Sequence, residues 1–339
     1  MMNSQFREQW IDAVKGLTII LVVFHHVFQG VQTSLGFSDL TLEIYSLTNP
    51  IRMPLFFLVA GFFAKKSIEG KLSKFIETKV AHFIYLYVLW SVISITIRSA
   101  LSSFTNNNVQ YTDILNIFWE PTFTIWFLYA LLIAFVVARI TRALPPIIQI
   151  IGALTLAILV DNIPDGSNIL LKTIKLYPFF IIGVYCSYLI RKGIENKSAL
   201  IFFAGTTLYI VGTALLFKYE IELKSFIYYI IAAFGVSSLM AAVRLLGNIK
   251  FIFNALQYSG ERSIYIYLMH FLPAAGSRVI LEKIGFTEPM IITLVGALIS
   301  VLSCLAVCEV LRRFEVTNIL FQLPRFSSIQ SETKDKLKG

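Results

Sequence analysis

Long apolar blocks separated by short polar segments make up most of this 339-residue chain. Each block is roughly 17 to 25 residues long, the length that a helix needs to cross the hydrocarbon core of a bilayer. The polar segments are too short to form a separate soluble domain. We therefore predict an all-α fold, a polytopic membrane helix bundle with about ten transmembrane helices. The predicted spans are residues 12–31, 43–64, 80–100, 123–141, 146–161, 169–190, 199–217, 226–246, 263–281 and 289–311.

Two prolines and two polar residues interrupt the second predicted span. Irregular backbone at membrane depth is tolerated only where it lines a cavity or packs against protein. We therefore expect this span to border the interior of the bundle. The interrupting residues are Asn49, Pro50, Arg52 and Pro54.

The composition agrees with a membrane location. Hydrophobic residues make up 57% of the chain and charged residues 14%, whereas ordinary soluble domains carry about 25% charged residues. The N-terminal residues lack the features of a removed signal peptide, so we expect the first helix to stay in the protein. The three cysteines lie in apolar segments, so we expect neither a structural disulfide nor a metal site. They are Cys186, Cys304 and Cys308.

The formal net charge is +9. The positive-inside rule explains this excess better than a nucleic-acid partner does, because the basic residues are unevenly divided between the two sides. Ten spans place both termini on one side, and 20 of the 29 Lys and Arg residues fall toward that side. We therefore predict cytoplasmic termini. Seven basic residues fall toward the opposite side, namely Arg98, Lys172, Lys175, Lys218, Lys224, Arg278 and Lys283.

The chain divides into two parts by composition. Residues 1–315 contain all the apolar blocks and form the predicted membrane domain. Residues 316–339 form a polar tail, which we expect to be cytoplasmic and mobile.

The first predicted helix carries ionisable residues along one face. Asp12 and Lys15 are three residues apart and therefore share that face. His26 follows Lys15 by eleven residues, which is within about 20° of three whole helical turns. The three side chains thus form a polar stripe that rises about 21 Å along the helix.

The histidines and Arg52 leave two interpretations open. His26 is either a core histidine that bridges two helices or a functional group, and its alignment with two other costly ionisable residues favours function. For His25, which points about 100° away, we expect a packing or interfacial role. Arg52 cannot lose its proton, so it needs an anion, carbonyls or water. An internal partner such as Asp12 or Glu43 meets that need as well as a ligand phosphate or a developing oxyanion does.

Five stretches of the chain resemble acyltransferase family 3, integral membrane enzymes that O-acylate glycans and other envelope molecules. The first, DAVKGLTIILVVFHH, has Asp12, Lys15 and His26 at the family's spacing. The last, YSGERSIYIYLMHFLP, places His270 at the family's later histidine. The order of the stretches makes the resemblance specific and extends it over nearly the whole chain. The other three are IRMPLFFLVAGFF, TIWFLYALL and LYPFFIIGVY.

The chain departs from the family pattern at several positions. Lys15 replaces a common arginine, and Ala60 replaces the serine of a Ser-Gly pair. The family's Arg-x-x-Arg appears here as Lys79 and His82 with two residues between them. A glutamate that some branches carry after the tryptophan stretch is absent. These differences concern donor binding more than the catalytic histidine.

The resemblance implies transfer of an acetyl or other short acyl group from cytosolic acyl-CoA, with acetyl-CoA as the expected donor. The implied acceptor is a hydroxyl of a cell-envelope glycan or a lipid-linked sugar, and the implied location is the plasma (inner) membrane of a bacterium, among membrane lipids. Lys79 and His82 fall on the family's basic pair and are expected to bind the donor phosphates. Lys65 and Lys66, in the lysine-rich loop, are assigned the same role, although anionic lipid headgroups suit them equally.

Transfer of an acyl group from a thioester to a hydroxyl suggests chemical roles for the residues in the membrane. His26 is the expected general base, because an imidazole has a suitable pKa for activating a hydroxyl. Asp12 and Lys15 are expected to keep the helix face polar, and Arg52 to stabilise the thioester oxyanion.

His270 and Tyr267, on the ninth predicted span, are expected to bind the acceptor. A hydrogen-bonded contact between helices is the alternative role for His270. No metal is expected at this site.

Two rival functions remain open from the sequence. A transporter or flippase of a lipid-linked or polymeric sugar uses the same intramembrane groups as a substrate path. A non-catalytic membrane scaffold predicts instead that Lys15, His26 and Arg52 tolerate substitution. The acceptor, the acyl group and the oligomeric state are not readable from the sequence.

Overall fold

The computed structural model describes residues 4–36, 39–101, 109–121, 124–164, 168–218, 224–314 and 316–324. Every regular element in these ranges is a helix, which confirms the predicted all-α fold. The α-helices are α1 (Ser4–Leu35), α2 (Asp39–Phe62), α3 (Lys65–Glu69), α4 (Leu72–Phe75), α5 (His82–Ala100), α6 (Trp126–Thr141), α7 (Pro146–Leu159), α8 (Ile169–Lys218), α9 (Lys224–Leu245), α10 (Lys250–Glu261), α11 (Ser263–Met269), α12 (Phe271–Lys283), α13 (Pro289–Arg313) and α14 (Thr317–Phe321). A π-helical turn, Ile76–Ala81, leads into α5, and 3₁₀ helices cover Tyr111–Asn116 and Leu246–Asn248.

Apolar helices long enough to cross a bilayer make this a multi-pass membrane protein. Within the described residues, five helices meet that requirement by length and composition, and a bent pair brings the number to six. The predicted total of about ten spans and the predicted side of the termini stay predictions. The five segments are Gln9–Leu35, Leu72–Ala100, Ile169–Leu216, Phe226–Asn248 and Pro289–Arg313.

Helix α8 reverses direction near Lys197. As one straight rod its 50 residues would be about 75 Å long, more than twice the roughly 30 Å hydrocarbon core. Lys197 leaves the helical conformation (φ −134°, ψ 32°). In the half of α8 before Lys197, the Lys175 carbonyl accepts a hydrogen bond from the Tyr229 hydroxyl at 3.0 Å. In the half after it, Gly212 packs against Ile231. Because these two partners are close together on α9, the two halves of α8 are antiparallel, as the separate predicted spans 169–190 and 199–217 require.

The predicted single span 263–281 is broken at His270. Helices α11 and α12 meet there at an angle of 61°. Pro273 lies one turn after the break, and it cannot donate a hydrogen bond to the Met269 carbonyl. The proline therefore accounts for a bend that the hydrophobic pattern does not reveal.

Helix α1 lies at the centre of the bundle. It contacts α2, α9, α10, α11, α12 and α13, and 67% of its most apolar stretch is buried. Helix α10, which was not predicted, crosses α1 at a pair of glycines. A Cβ on Gly16 would lie 1.8 Å from the Leu256 carbonyl oxygen, and one on Gly260 would lie 1.7 Å from the Asp12 carbonyl oxygen. Only glycine permits so close an approach of two helix backbones.

The beginning of the predicted tail packs onto the bundle. Phe321 is 3% exposed and contacts the rings of Trp90 and Tyr265. Trp90 Nε1 donates to the Leu320 carbonyl at 2.7 Å, and the Tyr85 hydroxyl donates to the Ile319 carbonyl at 2.6 Å. The packed region therefore extends beyond residue 315, the boundary set from composition. Residues 325–339 lie outside the described ranges.

Candidate functional site

A cavity of about 540 Å³ opens beside the C-terminal half of α1. Helices α2, α6, α8, α9 and α11, together with Thr124 and Asp161 from the segments before α6 and after α7, supply the rest of its wall. Residues distant in sequence therefore meet there. We call it the His26 cavity. Its wall includes the side chains of His25, His26, Tyr45, Asn49, Arg52, Phe56, Trp126, Asp161, Lys172, Lys175, Tyr228, Tyr229 and Tyr267.

A second cavity, of about 350 Å³, is also lined by His26. We call it the Arg98 cavity, and its polar lining includes His26, Gln29, Arg98, Thr124 and Arg278. Since His26 borders both spaces, its ring can be approached from two directions. A group in that position can contact two different molecules.

A third cavity, of about 430 Å³, lies at the other end of the polar stripe. We call it the Asp12 cavity, and it is lined by Asp12, Lys15, Thr18 and Phe56 among others. Lys15 Nζ donates to Asp12 Oδ1 at 2.9 Å, and its ammonium lies 4.3 Å from the centre of the Phe63 ring. The two ends of the stripe therefore face two different cavities.

Phe56 of α2 borders both the Asp12 cavity and the His26 cavity. Along α1, Thr18 lines the former and Val22 the latter. One face of α1 thus borders both cavities. Lys15 and His26, which lie on that face, are about 16 Å apart along the helix axis. The Phe56 ring packs edge-on against Phe127, with 4.5 Å between ring centres, and is part of the wall of both cavities.

His270 lies behind His26 and lines none of these three cavities. Its side chain is fully buried, and the centres of the two imidazoles are 4.9 Å apart. His270 Nδ1 lies 2.7 Å from the Tyr267 carbonyl oxygen. A carbonyl only accepts, so Nδ1 carries the proton and Nε2 keeps its lone pair. Nε2 is buried without a hydrogen-bond partner among the described residues.

His270 therefore packs against His26 and lines none of the three cavities. Its acceptor-binding role stays a prediction. Tyr267, which was assigned the same role, does reach the wall of the His26 cavity. Its hydroxyl is buried without a hydrogen-bond partner in the described part of the chain.

Arg52 faces the His26 cavity without the internal carboxylate partner considered from the sequence. Its Nη2 donates to Asn49 Oδ1 at 3.3 Å. Nε and Nη1 have no hydrogen-bond partner among the described residues. Asp12 pairs with Lys15 instead. A guanidinium at a cavity wall with two donor nitrogens that lack a partner among the described residues is suited to a carboxylate, a phosphate or an oxyanion.

His25 has the environment of a packed side chain. It is 5% exposed and stacks on Tyr45 with 4.9 Å between ring centres. Its ring touches the wall of the His26 cavity but is held by this aromatic contact. The neighbouring histidines therefore have different surroundings.

The residues expected to bind the donor lie apart from these cavities. Lys65 is exposed and is 3.9 Å from Glu69, and Lys66 is also exposed. Lys79 lies over the Phe135 ring at 4.7 Å, and His82 Nδ1 accepts a weak hydrogen bond from the Leu323 amide at 3.4 Å. Their donor-binding role stays a prediction.

Sequence reasoning did not assign Lys172, Lys175 or Asp161 to the site. All three line the His26 cavity. A signal was present in the sequence, because the two lysines belong to the small set of basic residues that the predicted topology places on the side opposite the termini. In the described ranges, no group of histidine, cysteine and carboxylate side chains could hold a metal ion.

Ionisable side chains that face cavities among apolar helices define an integral membrane protein with an internal polar site. The model of acyltransferase family 3, described as "Acyltransferase domain", matches residues 8–309. The chain therefore belongs to this family of acyl-transfer enzymes, and the resemblance read from the five stretches is confirmed.

One curated relative is the nodulation protein NolL of Sinorhizobium fredii (strain NBRC 101917 / NGR234). It is 25% identical over 205 residues, covering 58% of this chain and 54% of that protein. The match thus spans about half the length of the relative. No solved structure matches the chain.

Proposed function

We propose that this protein transfers an acetyl or other short acyl group from acyl-CoA to a hydroxyl of a cell-envelope glycan or lipid-linked sugar, with His26 as general base. The observation that carries the proposal is the position of His26. The imidazole borders two cavities on a helix face whose other end borders a third. Donor and acceptor can thus approach one base from different sides.

The reaction follows from ordinary acyl-transfer chemistry. His26 takes the proton of the acceptor hydroxyl as its oxygen attacks the thioester carbonyl. The resulting tetrahedral oxyanion is stabilised by the free donors of Arg52. When the C–S bond breaks, the imidazolium returns its proton to the leaving thiolate, which regenerates the base. General-base assistance of this kind contributes typically 10²- to 10⁴-fold.

The donor approaches through the Asp12 cavity. This cavity is at the end of α1 that belongs to the predicted cytoplasmic side, where acetyl-CoA is available. The thioester end then lies along the face of α1, past Phe56, with its carbonyl near His26. Lys79, His82, Lys65 and Lys66 are proposed to hold the coenzyme outside this path. Plasma-membrane location in a bacterium belongs to the same proposal.

Neighbouring histidines provide the test. We expect His26→Ala to reduce acyl transfer per folded molecule by at least about 100-fold, because it removes the base. His25→Ala removes a packed ring and is expected to lower thermal stability while transfer continues. Purified protein in nanodiscs, acyl-CoA and an envelope glycan extract provide the assay, and size-exclusion chromatography checks folding. If transfer survives the first change and is lost with the second, the assignment is wrong.

Transport of an unmodified sugar is the second candidate. The position of Phe56 in the wall of two cavities favours it, because movement of one side chain could join them into a substrate path. The purified protein discriminates between the functions. Release of free thiol from acyl-CoA supports transfer, and movement of glycan across a liposome without thiol release supports transport.

A further inference from the structure

Three residues line both the His26 cavity and the Arg98 cavity. They are His26, Gln29 and Thr124, and no other residue in the described ranges belongs to both walls. Gln29 follows His26 by three residues on α1, so the two side chains share a face of that helix. Thr124 comes from a different part of the chain, two residues before α6 begins. Polar side chains from separate elements therefore accompany the proposed base at both cavities.

The side chains of Gln29 and Thr124 each have a buried oxygen without a hydrogen-bond partner among the described residues. The atoms are Gln29 Oε1 and Thr124 Oγ1, and Thr124 is only 7% exposed. Burial of a polar atom is unfavourable unless it forms a hydrogen bond, so most such atoms are paired. The buried Thr173, for example, donates to the Ile169 carbonyl at 2.7 Å. Two unpaired oxygens at a cavity wall are therefore available to a ligand.

The chemistry of the two oxygens fits a hydroxyl group. The amide oxygen of Gln29 only accepts hydrogen bonds, whereas the hydroxyl of Thr124 both donates and accepts. A ligand hydroxyl also donates and accepts, so it can pair with either atom. An ionised carboxylate only accepts, so it cannot pair with Gln29 Oε1. The two side chains therefore favour a neutral, hydroxyl-bearing ligand.

The Arg98 cavity is the space that the proposed donor route leaves for the acceptor. That route reaches the His26 cavity past Phe56, which does not line the Arg98 cavity. The predicted topology places Arg98 and Arg278, which line this cavity, on the side opposite the termini and so away from the donor. Its volume of about 350 Å³ is within the usual range for small-molecule sites, roughly 300 to 1,000 Å³. A sugar unit therefore fits the size and the location of this cavity.

We propose that the acceptor binds in the Arg98 cavity, where Gln29 and Thr124 bind a second hydroxyl of the acceptor while its reacting hydroxyl faces His26. This inference rests on the proposed function and specifies how the site selects its acceptor. The acceptor is then a polyol, such as a sugar with two hydroxyls near one another, and an isolated alcohol is a poor substrate. Gln29 and Thr124 position the acceptor and take no part in the proton transfer.

Variants of similar size test the two side chains. Thr124→Val and Gln29→Met keep the approximate shape of each side chain and remove its hydrogen-bonding oxygen. We expect each to weaken equilibrium binding of a labelled envelope glycan extract about tenfold, which corresponds to about 1.4 kcal/mol. Thr124→Ser keeps the hydroxyl and is expected to retain binding. The full chain is held in nanodiscs throughout, and melting temperatures show whether each variant folds.

Thr173→Val is the matched control. Thr173 is 3% exposed, has its own hydrogen-bond partner and lines none of the three cavities. The control makes the same chemical change at another buried threonine and is expected to bind the extract as the unaltered protein does. If Thr124→Val and Gln29→Met bind the extract no more weakly than Thr173→Val, the inference is wrong.

Acyl transfer separates positioning of the acceptor from a purely structural role. We expect Thr124→Val to raise the KM for the glycan extract by a larger factor than it lowers kcat, because the lost contact is made in the bound state before reaction. A loss confined to kcat, with an unaltered KM, would contradict acceptor binding by Thr124.

Deoxygenated sugars test the second hydroxyl directly. Methyl glucoside, methyl galactoside and methyl rhamnoside, each with its monodeoxy analogues, compete with the labelled extract for the unaltered protein. We expect at least one analogue to compete about tenfold less well than its parent. That loss should disappear in Thr124→Val, whereas a loss caused by removal of the reacting hydroxyl should remain. No loss with any analogue, or losses that are all unchanged in Thr124→Val, overturns the inference.

Thiol release from acyl-CoA in the same preparation keeps the two proposals separate. Thiol release by a protein whose glycan binding does not depend on Gln29 and Thr124 refutes the acceptor site and leaves the transferase intact. Glycan binding that depends on them, without thiol release or acyl transfer, retains the polyol site and refutes the transferase.

Discussion

Substitution of Gly260 by alanine tests the crossing of α1 and α10. The new Cβ would lie 1.7 Å from the Asp12 carbonyl oxygen, whereas ordinary van der Waals contact begins at 3.4 Å. The difference is 1.7 Å. No side-chain rotation removes this overlap, because the opposing atom belongs to the backbone. The two helices must therefore separate by a distance of that order.

Two consequences follow from that separation. Overpacking of a well-packed interior typically costs about 1–3 kcal/mol, and a clash between backbones belongs at the upper end of that range. The separation also moves the segment of α1 that carries Asp12 and Lys15 relative to α2. We therefore expect lower stability together with lower activity.

Thermal unfolding in detergent measures the first effect, and acyl transfer in nanodiscs measures the second. Gly260→Ala should lower the melting temperature by about 5 °C or more. The matched control is Gly276→Ala in α12, where a Cβ meets nothing within 4 Å. That control should gain stability, up to about 1 kcal/mol, because alanine favours helix more than glycine does. Equal melting temperatures for Gly260→Ala and the unaltered protein would refute the close crossing.

Three further substitutions test the interior of the bundle. His270→Asn keeps a donor for the Tyr267 carbonyl but removes Nε2, so we expect at least about tenfold slower acyl transfer with an altered pH profile and an unchanged melting temperature. Unchanged transfer would contradict a role for His270 in positioning His26. Phe56→Leu shortens a side chain that borders both the His26 cavity and the Asp12 cavity, so we expect acceptor-independent thiol release from acyl-CoA to rise. An unaltered rate would show that the Phe56 ring does not separate the two cavities. Phe321→Ala should lower the free energy of unfolding by about 3–5 kcal/mol because the ring is buried. The control Phe314→Ala, at a position that is 72% exposed, should lower it by less than about 0.5 kcal/mol, and equal losses would contradict the packing of α14 on the bundle.

The hydrophobic pattern was sufficient to predict most of the apolar helices, because a bilayer span has a fixed length and a uniform composition. It could not predict α10, whose mixture of polar and apolar residues reads as a loop between spans. Nor could it predict the break at His270, since α11 and α12 together have the length and composition of one span. The position of α10 depends on tertiary contacts and the break at His270 on Pro273, and neither leaves a trace in local hydrophobicity.

Part of the candidate site could also be predicted from a regular pattern in the sequence. Helical periodicity places Asp12, Lys15 and His26 on one face of α1, and the structure keeps them there. Periodicity along one helix gives no information about its neighbours, however. The sequence therefore could not show that Lys172 of α8 shares a cavity with His26, or that His270 lies behind it. The predicted imbalance of basic residues between the two sides of the membrane was the sequence signal available for Lys172.

The glycines in the quoted stretches show why those stretches occur together. Gly16, directly after Lys15, packs against α10 at Gly260. Gly61 in α2 packs against Gly183 in α8, where an added Cβ would lie 2.2 Å from the opposing backbone. The first stretch is thus paired in space with the last, and IRMPLFFLVAGFF with LYPFFIIGVY. Each pairing fixes a helix that lines the His26 cavity, so residues without chemistry of their own determine where His26 and Arg52 point.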